Sequence, residues 1–110
     1  MKFEIKRTVK FSKSFKKLTK KYRKLAYDYE KLIDILESGN HNAIKITENI
    51  YKIRLKNSSN PHGKSGGFRV IYFLQTAANT IYLLDIFSKT EIDNISKNKL
   101  AELAKKITTK

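Results

Sequence analysis

Several residue types that support common kinds of chemistry are missing or scarce in this chain of 110 residues. There is no cysteine, which excludes disulfide bonds and thiolate zinc sites, and two histidines are too few to predict a metal site. No apolar run approaches the roughly 20 residues that a membrane-spanning helix needs. The first residues, Met-Lys-Phe-Glu, lack the apolar core of a secretion signal, so we expect a cytoplasmic protein. The length predicts one domain over residues 1–110.

Acidic residues are also scarce. The chain has 24 lysines and arginines against 10 aspartates and glutamates, which gives a formal net charge of +14. Residues 1–24 hold 11 of the basic residues and one acid, whereas residues 25–48 carry a net negative charge. A surplus of this size attracts polyanions over a distance, so RNA, DNA or the ribosome surface are the expected partners.

The first third of the chain changes its hydrophobic period. Residues 3–9 alternate apolar and polar side chains, which predicts a half-buried strand. Residues 11–36 then carry apolar side chains at steps of three and four, a helical pattern. The pattern is long for one helix in a small protein, so we expect a helical hairpin that is broken near residues 26–28 and ends at Gly39.

The remaining segments predict strands joined by hairpin connections. Strands are expected at residues 49–56, 68–75 and 81–87, with a short extended piece at residues 43–46. A last apolar stripe at residues 100–107 predicts a short C-terminal helix. We therefore predict an α+β fold with an N-terminal strand, a helical hairpin, a three- to four-stranded antiparallel sheet and a short C-terminal helix.

Two sets of cations are candidates for binding phosphate. Because side chains alternate along a strand, the predicted strand at residues 49–56 places its cations on one face and its apolar residues on the other. The cations of this face are Lys52, Arg54 and Lys56. Arg69 of the next strand joins them in one of the registers that the sequence allows, and Lys64 lies in the glycine-containing loop between the two strands. The polar side of the first helix carries seven more cations and no acid, namely Lys13, Lys16, Lys17, Lys20, Lys21, Arg23 and Lys24.

The sequence has no catalytic triad, P-loop or metal-ligand spacing, so any chemistry must come from lysine and arginine. RNA cleavage fits this limit because the substrate supplies its own nucleophile, the 2′-OH. The protein then needs to orient the backbone, transfer protons and stabilise the charged phosphorane. Arginine suits the phosphorane because its planar fork matches the phosphate oxygens.

The residues of the strand region resemble the RelE/ParE superfamily of bacterial toxins. The resemblance is carried by the run Tyr51 to Leu55, the run Gly63 to Tyr72, and residues 81–91. The glycine loop followed by Arg69 is most similar to the HigB branch of RelE-type mRNA interferases. This resemblance implies the toxin of a type II toxin–antitoxin pair, which cuts messenger RNA in the ribosomal A site without a cofactor or metal ion and so inhibits translation.

The same resemblance implies roles for particular residues. Lys52 and Arg54 match paired basic positions, and Arg69 matches the arginine expected to hold the scissile phosphate. Lys89 matches the basic position after the last strand. Two departures are Thr90, where RelE has an arginine, and Ser96, where it has a tyrosine that helps to activate the nucleophile. Glu91 is a candidate substitute for that tyrosine.

The resemblance also implies partners. These are the ribosome, its message, and a cognate antitoxin with an acidic surface and a helix-turn-helix part similar to HigA. Two other functions remain open from the sequence. One is a ParE-like poison of DNA gyrase, which shares the fold, and the other is a basic nucleic-acid-binding module without chemistry.

Overall fold

Two helices and five strands form the part of the chain that the computed structural model describes, which is residues 3–39, 43–56, 58, 67–88, 102 and 105. The elements, in chain order, are β1 (Glu4–Arg7), α1 (Val9–Lys21), α2 (Leu25–Ser38), β2 (Ile44–Thr47), β3 (Ile50–Lys56), β4 (Gly67–Gln75) and β5 (Thr80–Ser88). This arrangement confirms the predicted α+β class. Neither described helix is long and apolar enough to cross a membrane.

The five strands form one mixed sheet in the order β1-β5-β4-β3-β2. Strands β2, β3, β4 and β5 pair with one another in the antiparallel direction, which agrees with the predicted three- to four-stranded antiparallel sheet. Strand β1 pairs with β5 in the parallel direction and forms one edge. Parallel neighbours need a long crossover connection, and here residues 8–79 lie between the two strands.

The end of β1 and the start of α1 differ from the prediction, which extended the strand to residue 9. Thr8 ends the strand because its hydroxyl accepts a hydrogen bond from the Phe11 N–H at 3.2 Å and caps α1. The same hydroxyl donates to the carbonyl of Leu83 at 2.8 Å. Thr8 therefore fixes the start of α1 against β5.

The helical hairpin is broken four residues earlier than predicted, at residues 22–24 rather than 26–28. Tyr22 leaves the helical conformation with φ −118° and ψ 100°. Its ring packs edge-on against Phe68 of the sheet, with 5.1 Å between the ring centroids. This packing interrupts an apolar period that is continuous in the sequence. Gly39, at φ 73°, ends α2 as predicted.

Both helices cover one face of the sheet, which we call the inner face. The helices contribute Phe11, Leu18, Leu25, Leu32 and Leu36, all of them buried. The strands contribute Ile53, Leu55, Phe68, Val70, Tyr72, Ile81, Leu83 and Ile86. The opposite side is the outer face. The predicted C-terminal helix lies outside the described residues except for Glu102 and Lys105, which are both helical.

Candidate nucleic-acid interface

The register between β3 and β4 brings two arginines together on the outer face. Arg54 lies directly opposite Arg69 in this antiparallel pair. Side chains opposite each other in such a pair have Cβ atoms about 4.5–5.5 Å apart and project from the same face. Ile53 and Leu55, which flank Arg54, face the helices and are buried. Of the registers that the sequence allows, the structure thus has the one that brings the two arginines together.

One atom of the Arg69 guanidinium group lacks a hydrogen-bond partner in the described part of the chain. This atom, Nη1, is buried. An unsatisfied buried donor is costly, and such a group in a native structure needs an explanation. A bound anion would satisfy Nη1, and it would also offset the repulsion between Arg54 and Arg69. The pair therefore has the properties of a phosphate site.

Lys52 and Lys56 extend this cationic surface along β3. Lys52 is half-buried and lies opposite Ile71, whereas Lys56 is exposed and lies opposite Gly67. Both share the outer face with Arg54, which confirms the alternation predicted for this strand. We call Lys52, Arg54, Lys56 and Arg69 the strand cations.

Gly67 is a member of the site that the sequence analysis missed. It precedes Arg69 by two residues, so both positions project from the same face. A Cβ atom at this position would lie 3.2 Å from the carbonyl oxygen of Leu55 and 3.9 Å from Nη1 of Arg69. The first distance is too short for an ordinary Cβ contact, so the absence of a side chain lets β4 lie close to the Leu55 carbonyl, next to Arg54. The Gly-Phe-Arg order at residues 67–69 was the available signal.

Within the described residues, no carboxylate forms a salt bridge with the strand cations. The salt bridge that these residues do contain joins Lys10 and Asp85, at 3.7 Å. Asp85 lies in β5, in register with Ile71, and could have approached the cationic surface. An irregularity in the pairing of β4 and β5 occurs at this point, and Ser14 of α1 donates a hydrogen bond to the carboxylate at 2.6 Å. Asp85 is thus held by α1 and does not pair with the strand cations.

The outer face also carries apolar side chains that the sequence analysis did not separate from the inner core. Five of them form a second buried cluster: Ile50, Ile71, Phe73, Leu84 and Phe87. Phe87 is paired with Arg69 across β4 and β5, so the cluster borders the site. The almost continuous apolar run of β4 was the available signal, because it is typical of a strand buried on both faces. The cationic surface is therefore confined to one end of the sheet.

Tyr72 of β4 cannot replace the tyrosine that the RelE pattern has at Ser96. Its side chain belongs to the inner core and is 1% exposed. Burial, and to a lesser extent the neighbouring Tyr51, raises the pKa of the Tyr72 hydroxyl above its ordinary value. The hydroxyl therefore stays neutral at physiological pH and does not reach the outer face.

The predicted cations of the first helix form a second, separate basic surface. All seven are exposed, five of them on α1 and Arg23 and Lys24 in the connection to α2. The buried side of α1, which includes Phe11 and Leu18, faces the inner side of the sheet. The lysines of α1 therefore lie on the helical side, away from the strand cations. We call this set the helix cations.

Three predicted residues lie outside the described part of the chain, namely Lys64, Lys89 and Glu91. The last described residue of β5, Ser88, is paired with Phe68, which precedes Arg69. Lys89 follows Ser88 directly in the chain. The described residues also contain no group of histidine, cysteine, aspartate and glutamate side chains that could hold a metal ion.

Comparison with known proteins places the chain in a family. The family model described as "RelE toxin of RelE / RelB toxin-antitoxin system" matches residues 6–110. The solved structure of a double arginine-to-alanine mutant of E. coli toxin RelE, in the free state, is similar with a TM-score of 0.60 and 22% sequence identity. That match covers 97% of this chain and 99% of the E. coli chain, and it supports the fold. No curated protein sequence matches the chain significantly. The chain belongs to the RelE toxin family and is the toxin of a toxin–antitoxin system.

Proposed function

We propose that this toxin is a ribosome-dependent endoribonuclease that cuts messenger RNA in the A site and so inhibits translation. The observation that carries the proposal is the pairing of Arg54 with Arg69, whose buried Nη1 has no partner among the described residues. Two opposed arginines without a carboxylate favour a ligand that carries more than one anionic oxygen. A phosphodiester that becomes a phosphorane is such a ligand.

The chemistry we propose uses the nucleophile of the substrate. The 2′-oxygen attacks the adjacent phosphorus while its proton is removed, and the bond from phosphorus to the 5′-oxygen breaks as that oxygen gains a proton. The products are a 2′,3′-cyclic phosphate and a 5′-hydroxyl end. This step needs no metal ion, because cationic side chains can meet the developing charge.

Three of the four strand cations have a proposed role in this step. Lys52 and Arg54 would bind the backbone and help to activate the 2′-OH, and Arg69 would stabilise the phosphorane. Lys89 would assist proton transfer, since it follows the end of β5 beside the strand of Arg69. Glu91 is the proposed substitute for the missing tyrosine. Lys56 and Lys64 would contact flanking phosphates.

The helix cations have a different proposed partner. Because α1 lies on the opposite side of the sheet from Arg54 and Arg69, one RNA strand cannot lie flat across both surfaces. We propose that the strand cations hold the message and that the helix cations contact ribosomal RNA. Phosphate contacts of this kind fix the position of a protein without reading sequence.

The remaining parts of the proposal concern the family branch and the partner. We propose a single toxin domain of the HigB branch that acts in the cytoplasm, on the basis of the glycine loop and Arg69. The cognate antitoxin would carry an acidic surface, complementary to the net charge of +14, and a helix-turn-helix part similar to HigA.

An in-vitro translation reaction with purified ribosomes tests this function. We expect the message to be cut at codon boundaries only when ribosomes are present, with 2′,3′-cyclic phosphate at the new ends. Intact message together with inhibited DNA supercoiling would instead support a gyrase poison. Binding of the message without any cleavage would support a module that contacts RNA but performs no chemistry.

A further inference from the structure

A buried carboxylate on α2 holds the end of the strand that carries Lys52, Arg54 and Lys56. Asp28 lies in the first turn of α2 and is 2% exposed. Buried carboxylates usually pair with a cation, because removing the charge from water is costly. In the described part of the chain, Asp28 forms no salt bridge. Its hydrogen-bond partner is a serine 30 residues further along the chain.

Ser58 donates two hydrogen bonds to this carboxylate. Its backbone N–H lies 2.9 Å from Oδ2 of Asp28, and its hydroxyl lies 2.5 Å from Oδ1. Both oxygens of the carboxylate are therefore used, and both bonds are of the strong, charge-assisted kind. We call this pair the Asp28–Ser58 clamp.

The position of the clamp links it to the candidate site. Ser58 is two residues beyond Lys56, the last residue of β3. The last three pairs of β3 with β4 are Arg54 with Arg69, Leu55 with Phe68, and Lys56 with Gly67. A shift of one residue in this pairing would move every side chain of the strand to the other face. An anchor just beyond the strand end opposes both fraying and such a shift.

We propose that Asp28 is a positioning residue, which fixes the end of β3 and thereby holds Arg54 and Lys56 in register with β4. The clamp is a feature of the fold, whereas its effect on RNA binding and cleavage rests on the proposed function. Asp28 acts through Ser58 and the strand, and it does not touch the substrate.

The test compares two clamp variants with a matched control. Asp28→Asn removes the charge, and Ser58→Ala removes the hydroxyl while the backbone N–H remains. Asp34→Asn makes the same chemical change at an exposed position of α2 and alters the net charge equally. A 2′-O-methylated RNA oligonucleotide cannot be cleaved by 2′-OH attack, so its affinity for the toxin measures binding of the RNA backbone without cleavage.

We expect each clamp variant to bind this oligonucleotide about tenfold more weakly. A loss of that size corresponds to the free energy of one charge-assisted hydrogen bond. Single-turnover cleavage of ribosome-bound message should fall at least as much at saturating toxin, because misplaced cations act on the bound complex. The double variant should show less than the sum of the two effects, since both changes break one clamp. Asp34→Asn should leave binding and cleavage unchanged.

Hydrogen exchange of the isolated protein tests the clamp separately. The Ser58 amide should be protected in the unaltered chain and exchange faster in Asp28→Ala. A Ser58 amide that exchanges freely in the unaltered chain would overturn the clamp, whatever the protein does to RNA. Protection together with normal oligonucleotide binding by both clamp variants would overturn the positioning role. If the unaltered toxin binds the oligonucleotide but leaves ribosome-bound message intact, the proposed function fails. The positioning role is still supported in that case if the clamp variants bind the oligonucleotide more weakly than the unaltered toxin.

Discussion

Replacing Arg69 with methionine should raise the stability of the fold and abolish most of the activity. The substitution keeps an unbranched stem of similar length and removes the guanidinium group. Most substitutions at partly buried positions destabilise a protein. An opposite effect here would show that Arg69 is retained for a ligand and not for the fold.

The expected gain follows from two features of the site. The unpartnered Nη1 atom of Arg69 carries a desolvation cost of about 1–3 kcal/mol. The like charge of Arg54 on the opposite strand adds about 0.2–1 kcal/mol of repulsion, at the lower end because Arg54 is exposed. After some loss of packing by the shorter side chain, we expect a net gain of about 1 kcal/mol, or roughly 4 °C in the melting temperature.

The loss of activity should be much larger than the gain in stability. Removing one donor that stabilises the transition state lowers a rate by about 10²–10³. Thermal unfolding and cleavage of ribosome-bound message are the two measurements. Lys45→Met is the matched control, because it removes one exposed cation from the edge strand β2. Lys45 is paired with Tyr51, which packs against the inner core, so Lys45 does not share the outer face with the strand cations. A lower melting temperature for Arg69→Met, or cleavage close to that of the unaltered toxin, would refute the reasoning.

Three further predictions address the rest of the interface. Gly67→Ala should lower message cleavage about tenfold, because its Cβ atom would lie 3.2 Å from the carbonyl oxygen of Leu55 and push apart the strand ends that carry Arg54 and Arg69. Normal cleavage would contradict this. Asp85→Ala should lower the free energy of unfolding in urea by about 1–3 kcal/mol, because the hydroxyl of Ser14 and the N–H of Ile86 lose their acceptor; an unchanged midpoint would argue against it. Replacing Lys13, Lys17 and Lys20 with glutamine should weaken ribosome binding and flatten its salt dependence, by about 0.7–0.9 in logarithmic slope per lost phosphate contact. An unchanged slope would show that α1 does not contact RNA.

The predicted strands were close to the observed ones because their signals are local. Alternation along β3 was enough to predict that Lys52, Arg54 and Lys56 share a face and that Ile53 and Leu55 enter the core. Gly39 was enough to end α2, because few other residues tolerate its φ of 73°. These features depend on the geometry of consecutive residues and need no knowledge of distant contacts.

The break between the helices shows where local reasoning failed. The apolar period runs through residues 22–24 without interruption, so it could not place the end of α1. Contact between Tyr22 and Phe68 of β4 decided it, and these residues are far apart in the chain. The capping of α1 by Thr8 has the same origin, since the hydroxyl also donates to the distant Leu83 carbonyl.

The composition and spacing of the chain determined its excess of cations, the face of β3 on which they lie and the absence of thiol chemistry. Pairing between strands decided the rest. It set Arg54 against Arg69, divided the outer face between cations and an apolar cluster, and let α1 hold Asp85 apart from them. The physical reason is that side-chain direction within a strand is fixed by neighbouring residues, whereas the register between strands depends on the packing of the whole sheet.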